Sequence, residues 1–498
     1  MSDFSYADWR AKAKEISPRT QAFIDGRFVD AASGKTWQKF NPATNQVIAD
    51  VAECDAEDID RAVQSARAAF DDGRWADQSP AARKKVLLRF SELMYEHAEE
   101  LALLDSLDMG KCVGDAHQLD IPFSADLFAY YAEAIDKITG EVVPTAPGVS
   151  AQVVKVPLGV VGAVTPWNYP VDMAAWKVAP ALAAGNSVVL KPAEQSPLSA
   201  LRLAELLSEA GLPDGVFNVV PGFGPTAGQA LGRHMDVDCL VFTGSTDVGK
   251  LFQRYAGESN MKQVWLECGG KSSNVVFADC GDLDAVAEAT CADIFFNQGE
   301  VCSVHSRLLV DASIHDALVE KIVAIAARYQ PGDPLDPASG MGSMVDAAQT
   351  DRVMAFIEQA AAESTLVAGG NRITIGGSDC FVEPTVFDDV HNDSDLAQNE
   401  VFGPVLAITT FTSEEEAVRF ANSTEFALAA SVWTQDISRA NRMSRALNAG
   451  TVSVNCVDAF SAQTPFGGFK SSGYGRDLSL HALDKFTGLK TIWTSYHV

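Results

Sequence analysis

Short apolar runs that alternate with helical patterns constrain the fold of this chain more than any other feature. From about residue 152 onward, runs such as NSVVLKPA (186–193), VFNVV (216–220) and DCLVFTGS (238–245) are separated by segments with apolar residues at helical spacing, including 170–184 and 246–257. Strands of this kind, each followed by a helix, form parallel sheets that are covered by helices on both faces. The alternation predicts an α/β protein with a Rossmann-like domain.

Further elements are predicted on both sides of this series. A second series of strands and helices begins near residue 272 and extends to about 470. Segments 56–70 and 78–107 carry apolar residues at helical spacing among many charges, so each is predicted to be an amphipathic helix. The β-rich segments 141–156 and 490–498 lie outside both series. We expect them to pair with each other as an arm, or with a second subunit.

The charge of the chain argues against two classes of partner. The chain has 38 Lys and Arg against 66 Asp and Glu, which gives a formal net charge of −28 and a pI near 4.6. A surface this acidic repels nucleic acid and anionic membranes. We therefore expect a small-molecule partner, with neither nucleic acid nor a membrane bound.

The nine cysteines indicate a reducing compartment. Their number is odd, and neither CxxC nor a Cys/His spacing typical of metal sites occurs, so free thiols and no bound metal are expected. The first residues, MSDFSYADWR, lack the apolar core of a secretory signal, and no apolar run reaches the length of a membrane span. The predicted location is the cytoplasm, and 498 residues suffice for about two to four domains.

Two residues indicate a nucleophile and a general base. Glu267 ends a predicted strand in LECGGKS (266–272), and Cys302 lies in the polar, Gly-containing segment FNQGEVCSVHSR (296–307). A thiol that attacks a carbonyl and a carboxylate that activates water are what aldehyde oxidation through a thioester requires. Taken separately, each residue has an ordinary alternative: a strand-end carboxylate and an unreactive loop thiol.

Two further motifs place polar side chains at predicted strand ends. In TPWNYP (165–170), Asn168 is a candidate donor to a developing oxyanion, or alternatively a cap of the next helix. In KPAEQSP (191–197), Lys191 and Glu194 emerge at the carboxyl edge of the sheet, where they would hold ribose hydroxyls or form a solvated loop.

A glycine-containing turn completes the set of motifs. FTGSTDVGK (242–250) follows a strand and opens a helix, so Gly244 and Gly249 would let a pyrophosphate approach the helix N-terminus. The motif is not GxGxxG, and by itself a strand-to-helix turn explains it equally well. The five motifs in this order, however, are not expected by chance.

Together these motifs resemble those of the NAD(P)-dependent aldehyde dehydrogenase superfamily, from about residue 20 to the C-terminus. NEVFGPVL (399–406) and PFGGFKSSGYGRD (465–477) add to the resemblance. It implies an aldehyde dehydrogenase-like α/β fold and a homotetramer or homodimer. The implied parts are a Rossmann-like NAD-binding domain (1–134 and 155–268), an α/β catalytic domain (269–469) and a small β oligomerisation arm (135–154 and 478–498).

The resemblance also implies roles for individual residues. Cys302 matches the nucleophile, Asn168 the oxyanion donor that works with the Cys302 backbone N–H, and Glu267 the base. Lys177 and Asp477 match a proton-relay pair, with Asp where Glu is common. The implied cofactor is NAD, with NADP less favoured because Glu194 would repel a 2′-phosphate. The matching cofactor positions are Thr165, Pro166, Trp167, Lys191, Glu194, Gly244, Ser245, Gly249, Glu400 and Phe402.

Several residues near the thiol depart from the usual pattern. Glu300 replaces a common Gln and would raise the pKa of the thiol if it pointed at the sulfur. Val304 and His305 replace a small Ala–Gly pair, and Cys268 replaces a Leu or Ala. His305 keeps a cysteine hydrolase open as an alternative, since that chemistry needs a His base beside the thiol. A binding protein on an inactive dehydrogenase scaffold is the other alternative.

A narrower resemblance concerns the substrate. The strings YAEAIDKITGEV, SNMKQVWLE, NVVFADC and RDLSLHALDKFTGLKTIW resemble 4-(γ-glutamylamino)butanal and ω-aminoaldehyde dehydrogenases of polyamine breakdown. Acids in an aromatic tunnel suit a cationic amine, unless they are solvated or paired with Lys or Arg. NCVDAFSAQT looks more like broad-specificity aliphatic or aromatic aldehyde dehydrogenases, the alternative function. The matching tunnel positions are Asp120, Tyr169, Asp172, Met173, Trp176, Phe296, Ser303, Asp458, Phe460 and Phe466.

Overall fold

The predicted alternation of strands and helices forms a first sheet of eight strands. The computed structural model describes residues 4–496. Five strands of this sheet run parallel, and antiparallel strands flank them at both edges. In spatial order the strands are β2 (Arg27–Val29), β1 (Ala22–Ile24), β9 (Phe217–Val219), β8 (Ser187–Lys191), β7 (Val160–Val164), β10 (Cys239–Gly244), β11 (Gln263–Cys268) and β23 (Gly473–Tyr474).

The second predicted series forms a separate sheet of seven strands. In spatial order these are β14 (Thr365–Ala368), β17 (Thr385–Asp388), β18 (Val405–Phe411), β13 (Arg307–Asp311), β12 (Ser273–Val276), β20 (Ala429–Trp433) and β21 (Thr451–Val454). Within this sheet only the edge pair of β14 and β17 is antiparallel. Three small ribbons pair β3 (Thr36–Asn41) with β4 (Gln46–Ala52), β15 (Arg372–Ile375) with β16 (Ser378–Val382), and β19 (Phe426–Ala427) with β22 (Phe469–Lys470).

Helices cover both sheets. They are α1 (Tyr6–Glu15), α2 (Ala56–Asp71), α3 (Pro80–Glu96), α4 (Ala98–Met109), α5 (Val113–Asp115), α6 (Ile121–Ala134), α7 (Pro170–Ala184), α8 (Leu198–Glu209), α9 (Gln229–Arg233), α10 (Thr246–Gly257), α11 (Leu283–Phe295), α12 (His315–Ala326), α13 (Ala347–Ala360), α14 (Asp395–Gln398), α15 (Glu414–Ala421) and α16 (Ile437–Ala446). Across residues 4–496, none of these helices has the length and apolar character needed to cross a membrane.

Local sequence explains most helix boundaries, with one exception. Helix α2 begins at a capping box formed by Asp55 and Asp58, and α7 ends at Gly185, whose φ of 97° suits a glycine. The single helix predicted over 78–107 is wrong, because the backbone at His97 (φ −109°, ψ 20°) leaves the helical region and divides α3 from α4.

A three-stranded sheet joins two distant parts of the chain. Strand β24 (Thr487–Ser495) pairs antiparallel with β6 (Val149–Pro157), which also pairs with β5 (Glu141–Val143). The two β-rich segments therefore pair with each other within one chain, which was the first of the two expectations. This sheet leaves Val142, Leu489 and Trp493 between 66% and 79% exposed. The residue boundaries of the three domains stay a prediction.

The parallel strands of the first sheet deliver polar residues to one edge. Strands β7 and β8 are buried along their whole length, which is why their sequences are continuous apolar runs. Their carboxyl ends carry Asn168 and Lys191, and those of β10 and β11 carry Gly244 and Glu267. Ligands of open α/β sheets bind at this edge.

Candidate active site

Cys302, Glu267 and Asn168 line the same cavity, although they lie far apart in sequence. The cavity has a volume of about 190 Å³ and lies between the carboxyl edge of the first sheet and the loop that precedes β13. Predicted residues of every class line it: Pro166, Trp167, Asn168, Tyr169, Asp172, Met173, Trp176, Gly244, Ser245, Glu267, Cys302, Ser303, Glu400, Phe402, Asp458, Phe460 and Phe466.

Close backbone approach explains why LECGGKS has two glycines. A Cβ atom at Gly270 would lie 2.5 Å from the carbonyl oxygen of Cys302, and one at Gly269 would lie 2.2 Å from Oε2 of Glu400. Any side chain at either position would push apart the segments that carry Cys302, Glu267 and Glu400. The two glycines therefore let three of the motifs meet at one point.

The Cys302 loop is held in an unusual backbone conformation. Just before it, Asn297 and Gln298 have φ values of 46° and 56°, in the left-handed region that most residues avoid. The Gln298 side chain accepts a hydrogen bond from the Gly342 N–H at 3.0 Å and donates to the Ser343 carbonyl at 3.1 Å. These bonds fix the turn that presents the thiol.

The Cys302 thiol is surrounded by groups that favour its neutral form. Burial raises its pKa well above the usual value, and the carboxylates of Glu267, Asp458 and Glu400 raise it further. At neutral pH the sulfur therefore carries its proton until a base removes it.

The Asn168 side chain is fixed beside Cys302. Its amide nitrogen donates to the Glu300 carbonyl at 2.7 Å, and its own backbone carbonyl accepts from Asn297 Nδ2 at 3.0 Å. An amide nitrogen carries two hydrogens, so one remains for a ligand oxygen. The capping alternative is wrong: Tyr169 is the N-cap of α7, and no side chain caps that helix.

Glu267 has the properties of a general base. It is buried on β11, and its Oε1 atom has no hydrogen-bond partner among residues 4–496. Burial raises its pKa to about 8, while Lys177 acts to lower it. Behind it, Lys177 Nζ donates to Asp477 at 2.5 Å, and Lys485 forms a second ion pair with the same carboxylate.

Glu300 does not act on the thiol as expected. Its carboxyl group is fully buried and accepts a hydrogen bond from the Val345 N–H at 3.2 Å. Burial raises its pKa well above the usual value. The acids that raise the pKa of Cys302 are Glu267, Asp458 and Glu400 instead.

His305 is engaged elsewhere and is not a base for Cys302. Its Nδ1 and its backbone N–H both lie 2.9 Å from Asp293 Oδ2, and its Nε2 lies 2.8 Å from the Ser431 hydroxyl. Burial disfavours the protonated imidazole of His305, but the carboxylate of Asp293 favours it, and the pKa of His305 is raised. With both ring nitrogens occupied, His305 gives the cysteine hydrolase alternative no support.

Two predicted tunnel residues are not part of the cavity lining. Asp120 is buried in an ion pair with Lys111, which is one of the alternatives stated for acids of the tunnel. The ring centroid of Phe296 lies 5.5 Å from Nζ of the same lysine. Of the predicted tunnel acids, Asp172 and Asp458 line the cavity. Burial raises the pKa of Asp458 to about 6, and Asp293 raises it while His305 lowers it.

The remaining predicted cofactor residues lie at or after the carboxyl ends of β7 and β8 and at the N-terminus of α10. Lys191 Nζ lies 2.9 Å from Glu194, and Thr165 is the residue after β7. Ser245 caps α10, with its hydroxyl accepting from Val248 N at 3.4 Å, and Gly249 lies in the first turn of that helix. This is a helix N-terminus beside two strand ends, the arrangement that binds phosphate groups.

Two residues that support the Glu400–Phe402 segment could not be predicted from any motif. Gln349 Nε2 donates to the Phe402 carbonyl at 2.7 Å, and Arg352 donates to the Glu400 carbonyl at 2.8 Å. Both lie on α13, line the cavity, and follow no recognisable motif. Phe402 itself has a φ of 60° and packs against Trp167 at 5.2 Å between ring centroids.

Comparison with known proteins identifies relatives over nearly the whole chain. Residues 28–492 match the model of the aldehyde dehydrogenase family. The NADP/NAD-dependent aldehyde dehydrogenase PuuC of Escherichia coli (strain K12) is 50% identical over 489 residues, 98% of each chain.

Two solved structures are similar to the whole chain. Gamma-glutamyl-gamma-aminobutyraldehyde dehydrogenase from Burkholderia cenocepacia J2315 is 52% identical with a TM-score of 0.96, covering 99% of this chain and 100% of that one. The indole-3-acetaldehyde dehydrogenase AldA of P. syringae, in complex with NAD⁺, is 50% identical with a TM-score of 0.97 and the same coverage.

Proposed function

The chain belongs to the aldehyde dehydrogenase family, and from this premise we propose that its cavity oxidises an amino-aldehyde to a carboxylic acid through a thioester on Cys302. It is an oxidoreductase that acts on aldehydes with NAD. The observation that carries the mechanism is the meeting of Cys302, Glu267 and Asn168 at one cavity.

The residues present fit NAD. Glu194 and Glu400 would serve as acceptors for ribose hydroxyls, and the N-terminus of α10 would bind the pyrophosphate. Trp167 and Phe402 would flank the nicotinamide end. When bound, NAD supplies the acceptor for the hydride that the substrate carbon loses.

The protein groups supply the remaining steps. Cys302 loses its thiol proton to water and reacts as the thiolate. The Cys302 sulfur attacks the aldehyde carbon, and Asn168 and the Cys302 N–H donate to the resulting oxyanion. After oxidation, Glu267 removes a proton from water, which attacks the thioester carbon and releases the acid and the thiol. The Lys177–Asp477–Lys485 chain behind Glu267 is placed to carry protons away.

The dependence of hydrolysis on pH follows from the raised pKa of Glu267. A general base acts in its ionised form, so the rate of thioester hydrolysis should rise with pH and level off above about 8. Single-turnover measurements of acid release after the oxidation step would show this rise of the hydrolysis rate with pH. The Glu267→Gln variant should not show the rise. If the rise persists in that variant, another group is the base.

Cavity chemistry favours an amino-aldehyde as the substrate. Asp172 and Asp458 provide negative charge among Trp176, Phe460 and Phe466, and aromatic faces with carboxylates attract ammonium groups. The similar Burkholderia structure bears the name of an enzyme for 4-(γ-glutamylamino)butanal. We therefore propose this compound or 4-aminobutanal, from polyamine catabolism, as the substrate.

A neutral aromatic aldehyde is the second candidate, because an equally similar relative is named for indole-3-acetaldehyde and the cavity is rich in aromatic rings. Comparing kcat/KM for 4-aminobutanal, 3-aminopropanal, 4-(γ-glutamylamino)butanal, propanal and an aromatic aldehyde separates the two. The amino-aldehydes should rank first. A clear preference for neutral aldehydes would overturn the proposed substrate class and leave the reaction type unaffected.

We also propose that the chain assembles as a homotetramer or homodimer through the β5–β6–β24 sheet. Its exposed Val142, Leu489 and Trp493 form an apolar surface of the kind that subunits bury.

A further inference from the structure

Asp172 is held in the cavity by a contact that the sequence did not suggest. It lies in the first turn of α7, one turn before Trp176, and its side chain accepts a hydrogen bond from the hydroxyl of Ser124 on α6. Ser124 is fully buried, and Asp172 is 7% exposed. Among residues 4–496, no other side chain forms a hydrogen bond to this carboxyl group, and Asp172 borders the cavity.

The surroundings of Asp172 contain more acids than cations. Asp105 on α4 and Asp120 are both buried nearby, and each raises the pKa of Asp172 in addition to the effect of burial. Lys111 is the cation of this cluster: it is ion-paired with Asp120, and its Nζ lies 3.5 Å from the ring centroid of Tyr169. Asp105 Oδ1 has no partner among the described residues, and burial raises its pKa to about 8. Three acids therefore share one lysine.

A second cation at this cluster would have to come from the cavity. Lys111 is already committed to Asp120, and Asp172 is the member of the cluster that borders empty space. Asp458, the other acid of the cavity, already faces the imidazole of His305 and the Ser303 side chain. Asp172 is thus the tunnel acid whose neighbouring cation, Lys111, is already paired with another carboxylate.

We propose that Asp172, oriented by Ser124, binds the protonated amine of the substrate and is the residue that makes this site select amino-aldehydes. The inference rests on the proposed substrate class and assigns it to one carboxylate. The bound ammonium group pairs with the ionised Asp172 carboxylate, so that the cluster holds two cations against three acids.

This assignment predicts how selectivity changes with pH. The groups that face Asp172 are Asp105 on α4, Lys111, Asp120, Tyr169 and the hydroxyl of Ser124. Because burial and Asp120 raise the pKa of Asp172, it must lose a proton before it can pair with an amine. The ratio of kcat/KM for an amino-aldehyde to that for its neutral isostere should therefore rise with pH in the wild-type enzyme, by at most about tenfold per pH unit.

The test compares that ratio in four enzymes, using 3-aminopropanal with butanal and 4-aminobutanal with pentanal. Asp172→Asn keeps the size of the side chain and its bond to Ser124 but removes the charge, so the ratio should fall by about tenfold or more and lose its rise with pH. Asp172→Leu should lower the ratio as much. Asp458→Asn is the matched control, since it removes the other cavity acid, and it should lower the ratio much less.

The outcomes separate the two levels of the proposal. A wild-type ratio at or below one would overturn the proposed substrate class and, with it, the role of Asp172. A high wild-type ratio that survives in Asp172→Asn, or that is lost in Asp458→Asn instead, would overturn the role of Asp172 alone. If Asp172→Asn slows both members of each pair equally, the residue is structural and the assignment is wrong. Thermal melting of each variant confirms that it is folded.

Discussion

Replacing Cys302 by Ala should abolish the oxidation of aldehydes while leaving NAD binding intact. The variant removes the atom that bonds to the substrate carbon, and loss of an enzymic nucleophile commonly costs about 10⁴-fold or more in rate. The backbone around Cys302 is held by Gln298 and by contact with Gly270 rather than by the sulfur, so the loop should keep its conformation. Formation of NADH measures the first effect, and titration with NAD measures the second.

Cys268 offers a matched control for this variant. It is a buried thiol next to Glu267, with its pKa raised to about 12 by burial, and it has no proposed part in the reaction. We expect Cys268→Ala to retain most of the activity. Normal turnover in Cys302→Ala would mean that the reaction does not proceed through this thiol.

Replacing Glu267 by Gln should separate oxidation from hydrolysis. The amide cannot take a proton from water, so the thioester should persist, and steady-state turnover should fall by about 10²- to 10⁴-fold. Gln has nearly the shape of Glu, and the pairing of β11 with β10 and β23 involves only backbone groups. The buried strand should therefore be undisturbed.

The kinetic signature of this variant is a burst. One equivalent of NADH per active site should form, because the thiol proton leaves to water and not to Glu267, followed by very slow turnover. Rapid-mixing absorbance measurements follow both phases. A variant that turns over at the wild-type rate would remove Glu267 from the hydrolytic step.

The strand-and-helix alternation predicted the first sheet because its signal is local. NSVVLKPA and DCLVFTGS have unbroken apolar centres, VVL and CLVF, since their strands are buried on both faces, and the parallel arrangement then brings Asn168 and Glu267 to one edge. The break between α3 and α4 at His97 was missed because the apolar spacing runs through it and only the backbone angles reveal it.

Contacts between distant residues explain what the sequence did not predict at the site. Glu300 looked like a neighbour of the sulfur because it is close in sequence, but its carboxyl group binds the N–H of Val345, 45 residues away. Asp120 matches a tunnel-mouth acid, and the ion pair with Lys111 is the alternative that the sequence left open. The pairing of Ser124 with Asp172 depends in the same way on how α6 packs against α7.

The central claim is that Cys302 forms the thioester and Glu267 hydrolyses it, and mass spectrometry of the Glu267→Gln variant tests it most directly. After incubation with NAD and an aldehyde substrate, the peptide that contains Cys302 should gain the mass of the aldehyde less two hydrogen atoms, because an acyl group replaces the thiol hydrogen. The gain should require NAD and should disappear in the Cys302→Ala/Glu267→Gln double variant. An unmodified Cys302 peptide under these conditions, or an acyl group on Cys268 instead, would contradict the account.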